Sequence, residues 1–442
     1  MPGSGSGRER GAGARGTEAG STSVGAARGR PRKAGRAAAL SALAKVCGDV
    51  RPGEPEEGVL GVVPAIVAAP ATVAEAAEVM RTAAGKGLAV VPRGAETRLD
   101  WGTPPDRCDL LLDTSRLDAV VEHAAGDLVA TVQAGLGTDR LAEVLAEQGQ
   151  RLALDFPLPG STVGGTIAAA AAGPLRLLYG SPRDLVIGLT VIRADGRVAR
   201  SGGKVVKNVA GYDLGRLFSG SYGTLGLIVE ATFRLHPVPV ARAYVTRAVP
   251  DAAGAREAVQ AVLHSPTAPS ALEVAAQGGG VVIGVLLEGV EAGVTARTAQ
   301  ITALLGADAK VGEEPPEWWG AYPDGTTLID VTSPPAALPG LLAAVEETGP
   351  GASLTWSADG RGHVGLSSET TPGQAKDALE RLRSLLIGAP HRGGAVVRYA
   401  PETVRAELDL WGPVPALSLM RRVKEQFDPE YRLSPGRFVG GL

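Results

Sequence analysis

Three glycine-rich segments concentrate the residue types able to hold or transform a ligand. The first, VVPRGAETRLDWG at residues 90–102, runs from a hydrophobic stretch into Pro92, Arg93 and Gly94. A buried strand that opens into a polar turn can aim backbone N–H groups at an anion, and glycine lets the anion come close. An ordinary strand-to-helix turn has the same composition. The second segment, PGSTVGGTIAAAAAG at 159–173, places Gly160, Gly164 and Gly165 before five alanines. A helix starting there offers free N–H groups and a positive dipole end, suited to a pyrophosphate, and an alanine face that another surface can approach closely. Close helix packing alone would select the same residues. The third, GGKVVKNVAGYDLGRLFSGSYGTLG at 202–226, sets Lys204, Lys207, Asn208, Tyr212, Asp213 and Arg216 between glycines. That density of donors and acceptors exceeds what a plain connection requires, although a solvated charged loop would also carry it. It contains neither GxxxxGK[ST] nor GxGxxG, so P-loop and Rossmann sites lack their defining spacings.

Residues for acid–base or metal chemistry are scattered. His123, His236, His264, His363 and His391 show no ligand spacing, and only His363, beside Arg361, and His391-Arg392, with Arg398-Tyr399, lie in polar stretches of the second half. Each reads first as a surface or satisfied loop histidine, so no catalytic residue and no metal site is assigned. Trp318-Trp319 with Tyr322 suits a small core anchor between proline-rich turns, or a contact to a ligand or partner. The two cysteines, Cys47 and Cys108, form no CxxC, which argues against a disulfide framework or thiolate zinc site and fits a reducing cytoplasm.

The elements that must position these loops follow from periodicity. Gly and Pro together make up about one residue in five of the 442, with 61 and 32 copies, and aromatics are 4%, so a loop-rich fold that binds through its backbone is favoured over a helix bundle. Net charge is −3, yet residues 1–40 hold eight Arg or Lys against Glu9 and Glu18, leaving a mildly acidic body without the clustered cations a nucleic-acid surface needs. No apolar run is long enough to cross a bilayer, and the arginine-rich start lacks the apolar core of a secretory signal, with an organellar transit peptide as the lesser alternative. Residues 1–35 are of low complexity and are expected to be disordered. Thereafter the pattern predicts a helix at 38–46, a βαβ unit (61–69, 72–85 with a Thr cap, 88–91), strands at 110–113, 119–123 and 128–133, a helix at 138–148, a loop and helix over 157–172, a hairpin at 185–200 and a strand at 226–236. A boundary falls at 239–250, and helices and strands alternate beyond it, without internal repeats.

Taken in order, PRGAETRLDWG, STVGGTIAAAAAGP with YGSPRD, and the third segment resemble the FAD-binding domain of the vanillyl-alcohol oxidase/PCMH flavoprotein family, and within it the E subunit of bacterial glycolate oxidase. KNVAGYDL and GSYGTLG are the most specific strings. The likeness spans residues 62–237, is faint beyond, and returns at LSPGRF, 433–438. It implies an α+β chain: a PCMH-type two-subdomain FAD-binding fold at 36–240, an α+β cap or substrate domain at 241–405, and a C-terminal helix and segment, 406–442, returning to the FAD domain.

By the same resemblance, Arg93, Gly94, Ala95, Glu96, Thr97 and Arg98, with Gly160, Ser161, Thr162, Gly164 and Gly165, cradle the pyrophosphate. Leu227 and Ile228 lie beside the adenine, and Tyr179, Gly180 and Ser181, with Arg183-Asp184, also line the cofactor. Relatives often have glycine where Ala95 and Glu96 stand, Asn at Ala170 and Glu at Tyr222. A carboxylate at 96 would repel a pyrophosphate unless it turns outward. No His lies in the first loop, so the FAD is expected to be noncovalent. The implied activity is oxidation of a small 2-hydroxy acid such as glycolate or lactate by hydride transfer. The alternative is a non-catalytic, flavin-carrying subunit serving a catalytic flavoprotein and an iron–sulfur partner, since the His-rich metal segment of related catalytic subunits is missing.

Overall fold

The computed structural model describes residues 33–204, 214–388 and 390–442, so Lys207, Asn208, Tyr212, Asp213 and most of the basic tail lie outside the described residues. The first helix runs Lys33–Leu43 rather than 38–46, and residues 33–35, assigned to the tail, are its first turn.

The first sheet contains β1 (Val50–Pro52), β2 (Ile66–Ala68), β3 (Val90–Arg93) and β4 (Leu110–Asp113) in the order β1-β2-β4-β3. Helix Val73–Gly85 begins at Thr72, whose Oγ1 accepts from the Glu75 N–H at 3.1 Å, and covers this sheet with Ala76, Val79, Met80 and Ala83. The βαβ unit is there, but β4 lies between its strands and pairs in parallel with both.

The second sheet holds β5 (Val120–Ala124), β6 (Val129–Gln133), β8 (Val186–Ile192), β9 (Val198–Gly202) and β10 (Leu227–Arg234), all antiparallel in the order β5-β6-β10-β8-β9. The short β7 (Gln150–Arg151) pairs with β11 (His236–Pro237). The alanine-rich helix is shorter than its sequence suggests, Val163–Ala169, with Ala170 left-handed at φ 51°. Its last carbonyls are claimed from outside: Gly220 N–H donates to Ile167 and Tyr222 N–H to Ala168, at 2.9 and 3.0 Å.

A third sheet of eight antiparallel strands follows: β12 (Ala241–Val249), β13 (Ala271–Gln277), β14 (Gly280–Gly289), β15 (Lys310–Gly312), β16 (Thr327–Thr332), β17 (Ala352–Ser357), β18 (Arg361–Leu366) and β19 (Gly394–Tyr399), in the order β15-β12-β14-β13-β17-β18-β16-β19. Side chains alternate between the faces of a strand. Leu272, Val274, Ile329, Val331, Leu354, Trp356, Val364 and Val397 join helices Ala252–Leu263, Glu291–Leu305, Leu338–Glu346 and Pro372–Leu386 in one core. The opposite face looks toward the first two sheets.

The C-terminal segment returns to the first sheet. Val90 N–H donates to Arg432 O and Ser434 N–H to Val90 O, each at 2.8 Å. Lys424, on helix Leu417–Phe427, is 1% exposed and donates to Thr224 O, Asp428 Oδ2 and Leu433 O at 2.7, 2.7 and 2.8 Å.

Candidate active site

Two clefts meet at the junction of the three sheets, and Ala169 lines both. The first lies between the two smaller sheets. The end of β3 and residues 93–99 form one wall; Thr162, Gly164, Gly165, Ala168 and Ala169 form another, with Tyr222, Gly223, Leu227, Ile228, Ser434 and Arg437 completing it. Close approach of the first two walls depends on glycine. A Cβ on Gly94 would stand 2.4 Å from Thr162 Oγ1, and one on Gly164 would stand 2.8 Å from the Ala134 Cβ. Arg437 donates to the carbonyls of Leu99 and Trp101, both at 2.9 Å, so the C-terminal segment holds the first loop in shape.

The two arginines of this loop have different surroundings. Arg93 is consumed by acids, with Asp113 at 2.7 Å, Glu96 at 2.9 Å and Glu57 at 3.0 Å. Glu96 is left-handed, φ 63°, and its carboxylate is turned back onto Arg93 with the side chain 55% exposed, which resolves the repulsion expected from an acid here. Hydrogen bonding from Arg51 outweighs burial and, with Arg93, holds the Glu57 carboxyl at about 2. Arg98 is buried and has no carboxylate partner among the described residues. Its Nη1 donates to Ser161 Oγ at 3.0 Å, while Nε and Nη2 make no hydrogen bond of good geometry among the described residues, with the Tyr322 hydroxyl as their polar neighbour. Burial lowers its pKa, and its guanidinium lies 5.5 Å from the Trp101 ring. A buried cation with two guanidinium nitrogens left to bond, beside walls of glycine and alanine, suits an electron-rich, phosphate-bearing ligand.

The second cleft lies against the open face of the eight-stranded sheet. One row of polar side chains crosses neighbouring strands there: Glu273 on β13, Thr355 and Ser357 on β17, Arg361 and His363 on β18, Asp330 on β16 and Arg398 on β19. His363 Nδ1 lies 2.8 Å from Asp330 Oδ1, and Arg398 Nε donates to Asp330 Oδ2 at 2.5 Å. Arg398 Nη1 donates to Tyr222 Oη at 2.5 Å, so a continuous set of contacts joins the clefts. Burial alone would push the Asp330 carboxyl up, but Arg398 and His363 hold it far below the usual carboxylate range. Tyr322 packs its ring edge-on to His363, centroids 4.7 Å apart. Arg361 is reached by solvent from the cleft and has no ion pair among the described residues; neighbouring Arg176 is paired with Asp359 at 2.5 Å.

Comparison with known proteins identifies the fold that holds the first cleft. An FAD binding domain model matches residues 64–202. An uncharacterised FAD-linked oxidoreductase of Mycobacterium tuberculosis is 30% identical over 424 residues, covering 85% of this chain and 91% of the relative. The chain belongs to the PCMH-type FAD-binding flavoprotein family. This flavoprotein is an FAD-dependent oxidoreductase. D-lactate dehydrogenase of Archaeoglobus fulgidus is 29% identical over 413 residues, 85% of this chain and 92% of that one. Glycolate oxidase subunit GlcD of Bacillus subtilis is 35% identical over 215 residues, 48% of this chain and 45% of that one. A solved p-cresol methylhydroxylase shares the fold, with a TM-score of 0.69 at 16% identity over 92% of this chain and 97% of that one.

Of the flavoprotein's sequence-derived cofactor residues, Arg93, Gly94, Ala95, Glu96, Thr97, Arg98, Thr162, Gly164, Gly165, Leu227 and Ile228 line the first cleft. Gly160, Ser161, Tyr179, Gly180 and Ser181 do not. Ser161 supports Arg98 from behind. Tyr179 Oη accepts from Arg151 Nη2 at 3.1 Å, beside the Arg151–Glu288 ion pair, and Ser181 begins helix Pro182–Leu185 with Asp184. Trp319 packs on Tyr244, centroids 5.2 Å apart, away from both clefts, whereas Tyr322 enters the second. Glu273, Asp330, Thr355 and Ser357 escaped the sequence reading. Their signal is a single polar residue set between core residues in successive strands, as in Leu272-Glu273-Val274 and Ile329-Asp330-Val331.

Proposed function

We propose that the flavoprotein oxidises a 2-hydroxy acid held in the second cleft, using noncovalent FAD held in the first. The FAD contacts in this reading are the first-cleft residues of the two glycine-rich loops, with residues 36–240 and 406–442 forming the cofactor domain and 241–405 the cap. The observation that carries the reading is His363, paired with Asp330, standing two residues along one strand from Arg361, a cation without an ion pair among the described residues. Such an oxidation needs a cation for the carboxylate and a base for the hydroxyl proton. Arg361 supplies the first. With Nδ1–H donated to ionised Asp330, His363 keeps its Nε2 lone pair for the second. Bound FAD supplies the two-electron acceptor. Arg98, whose Nε and Nη2 have no hydrogen bond of good geometry among the described residues, would hold the phosphates of the cofactor. The absence of histidine from the first loop supports noncovalent attachment.

The likeness to D-lactate dehydrogenase and to a glycolate oxidase subunit supports this substrate class. A second reading, a flavin-carrying subunit of a complex with a catalytic flavoprotein and an iron–sulfur protein, is supported by the subunit likeness. Anaerobic absorption spectra of the purified chain, before and after adding glycolate or lactate, test both. Bleaching of the flavin band by the isolated chain supports the first reading. Bleaching only in a co-purified complex supports the second, and failure to take up FAD overturns both.

A further inference from the structure

The second cleft contains more polar groups than oxidation of glycolate or lactate requires. Glu273 and Ser357 are each 7% exposed, and Glu273 Oε1, Ser357 Oγ and Thr355 Oγ1 are buried with no well-formed hydrogen bond among the described residues, although Ser357 stands close enough to Glu273 to favour its ionised form. All three residues line the cleft. Buried polar atoms are normally satisfied, and leaving one unmade is costly, so three together in a cleft wall mark a place where a ligand completes the bonding. Glu273 faces Ser357 across β13 and β17, and Thr355 faces His363 across β17 and β18. The row therefore starts beside His363 and ends at Glu273, two interstrand spacings across and two residues along, about 12 Å away. A two- or three-carbon acid bound at Arg361 and His363 does not span that distance.

We propose that Glu273, Thr355 and Ser357 form a distal subsite for neutral hydroxyl groups, making the preferred substrate a polyhydroxylated 2-hydroxy acid of the aldonic type. The inference rests on the hydroxy-acid reading above. Each of the three side chains can both donate and accept, as sugar hydroxyls do. Burial raises the Glu273 carboxyl to about 8 against the opposing pull of Ser357, with Asp155 and Asp359 adding to the rise, so near neutrality it is a protonated donor. Those acidic neighbours also disfavour a second substrate carboxylate, and the Arg361 and Arg176 cations disfavour a substrate ammonium.

The test compares gluconate and its C2 epimer mannonate with lactate on the FAD-loaded protein, by flavin reduction and by calorimetric titration. The expected result is that one six-carbon acid binds, and reduces flavin in kcat/KM terms, at least about tenfold better than lactate. Glu273→Leu should abolish that ratio and Glu273→Gln should keep most of it. Ser357→Ala should diminish the ratio, and decides the matter if Glu273→Leu does not fold. Equal binding of the acids, a ratio indifferent to these substitutions, or preference for a dicarboxylate or amino-bearing acid overturns the proposal. If no acid reduces the flavin, the oxidation reading fails, while the calorimetric preference and its loss in the variants still decide the subsite.

Discussion

Asp330 divides its carboxylate between His363, whose Nδ1 stands 2.8 Å from Oδ1, and Arg398, whose Nε donates to Oδ2 at 2.5 Å. One acid thus orients an imidazole in the second cleft and neutralises a buried guanidinium that reaches Tyr222 in the first. The two duties separate by mutation. His363→Gln should slow flavin reduction by about a hundredfold with little loss of thermal stability. Asp330→Asn should slow it comparably and also cost about 3–5 kcal/mol of stability, because Arg398 is left buried without a counter-ion. Stopped-flow reduction and thermal melts of both variants check this, and equal melting temperatures would refute the shared-carboxylate account.

Glu273 links stability to pH. Its folded pKa of about 8 lies above the value of an unfolded Glu, so the folded state holds a proton that the unfolded state has released between about pH 4.3 and 8. Its contribution is complete below the unfolded value and is lost as pH rises through the folded one, with a slope of about 1.4 kcal/mol per pH unit. Glu273→Gln should remove that slope, so denaturant midpoints of parent and variant should diverge progressively from pH 5 to 8. Parallel curves would show that Glu273 is not held protonated.

Gly94 and Thr162 are coupled by contact. Gly94→Ala places a methyl group 2.4 Å from Thr162 Oγ1 and should separate the loop from helix Val163–Ala169, costing about 1–3 kcal/mol and weakening FAD retention. Thr162→Ala alone should cost about 1 kcal/mol through loss of the cap to Gly165 N–H. The double variant should be less destabilised than the sum, as measured by urea titration. Strict additivity would mean that the loop and helix do not touch in solution.

Lys424 anchors the returning C-terminal segment. Lys424→Met should cost about 3–5 kcal/mol, because Asp428, fully buried, loses its cation while the Thr224 and Leu433 carbonyls lose a donor. Hydrogen exchange should show residues 428–438 losing protection ahead of the core of the eight-stranded sheet. Unchanged exchange there would assign the anchoring to Arg432 and Arg437 instead.

The local architecture was legible because its signals are local. Thr72 and Glu75 mark a helix start, the apolar stretch Leu110, Leu111, Leu112 reads as a buried strand, and Ala194-Asp195-Gly196 reads as a turn, with Gly196 at φ 80°. The insertion of β4 between β2 and β3 was not legible, since strand order is a long-range pairing that no residue announces. The length of the alanine-rich helix was misread for a similar reason. Five alanines favour helix, but the N–H groups of Gly220 and Tyr222, some fifty residues on, capture its carbonyls and end it.

The glycine pattern by itself determined where two loops can let another surface or a ligand come close to backbone, because few other residues permit such approach. Only tertiary structure decided which arginine is available: Arg93 and Arg98 are five residues apart, yet among the described residues one is paired with three acids and the other with none. It likewise assembled His363, Asp330 and Arg398, which lie on separate strands, and turned Glu273 toward the same cleft. Sequence records which residues alternate on a strand. Which strands become neighbours, and so which polar residues meet, depends on packing of the whole sheet against its helices.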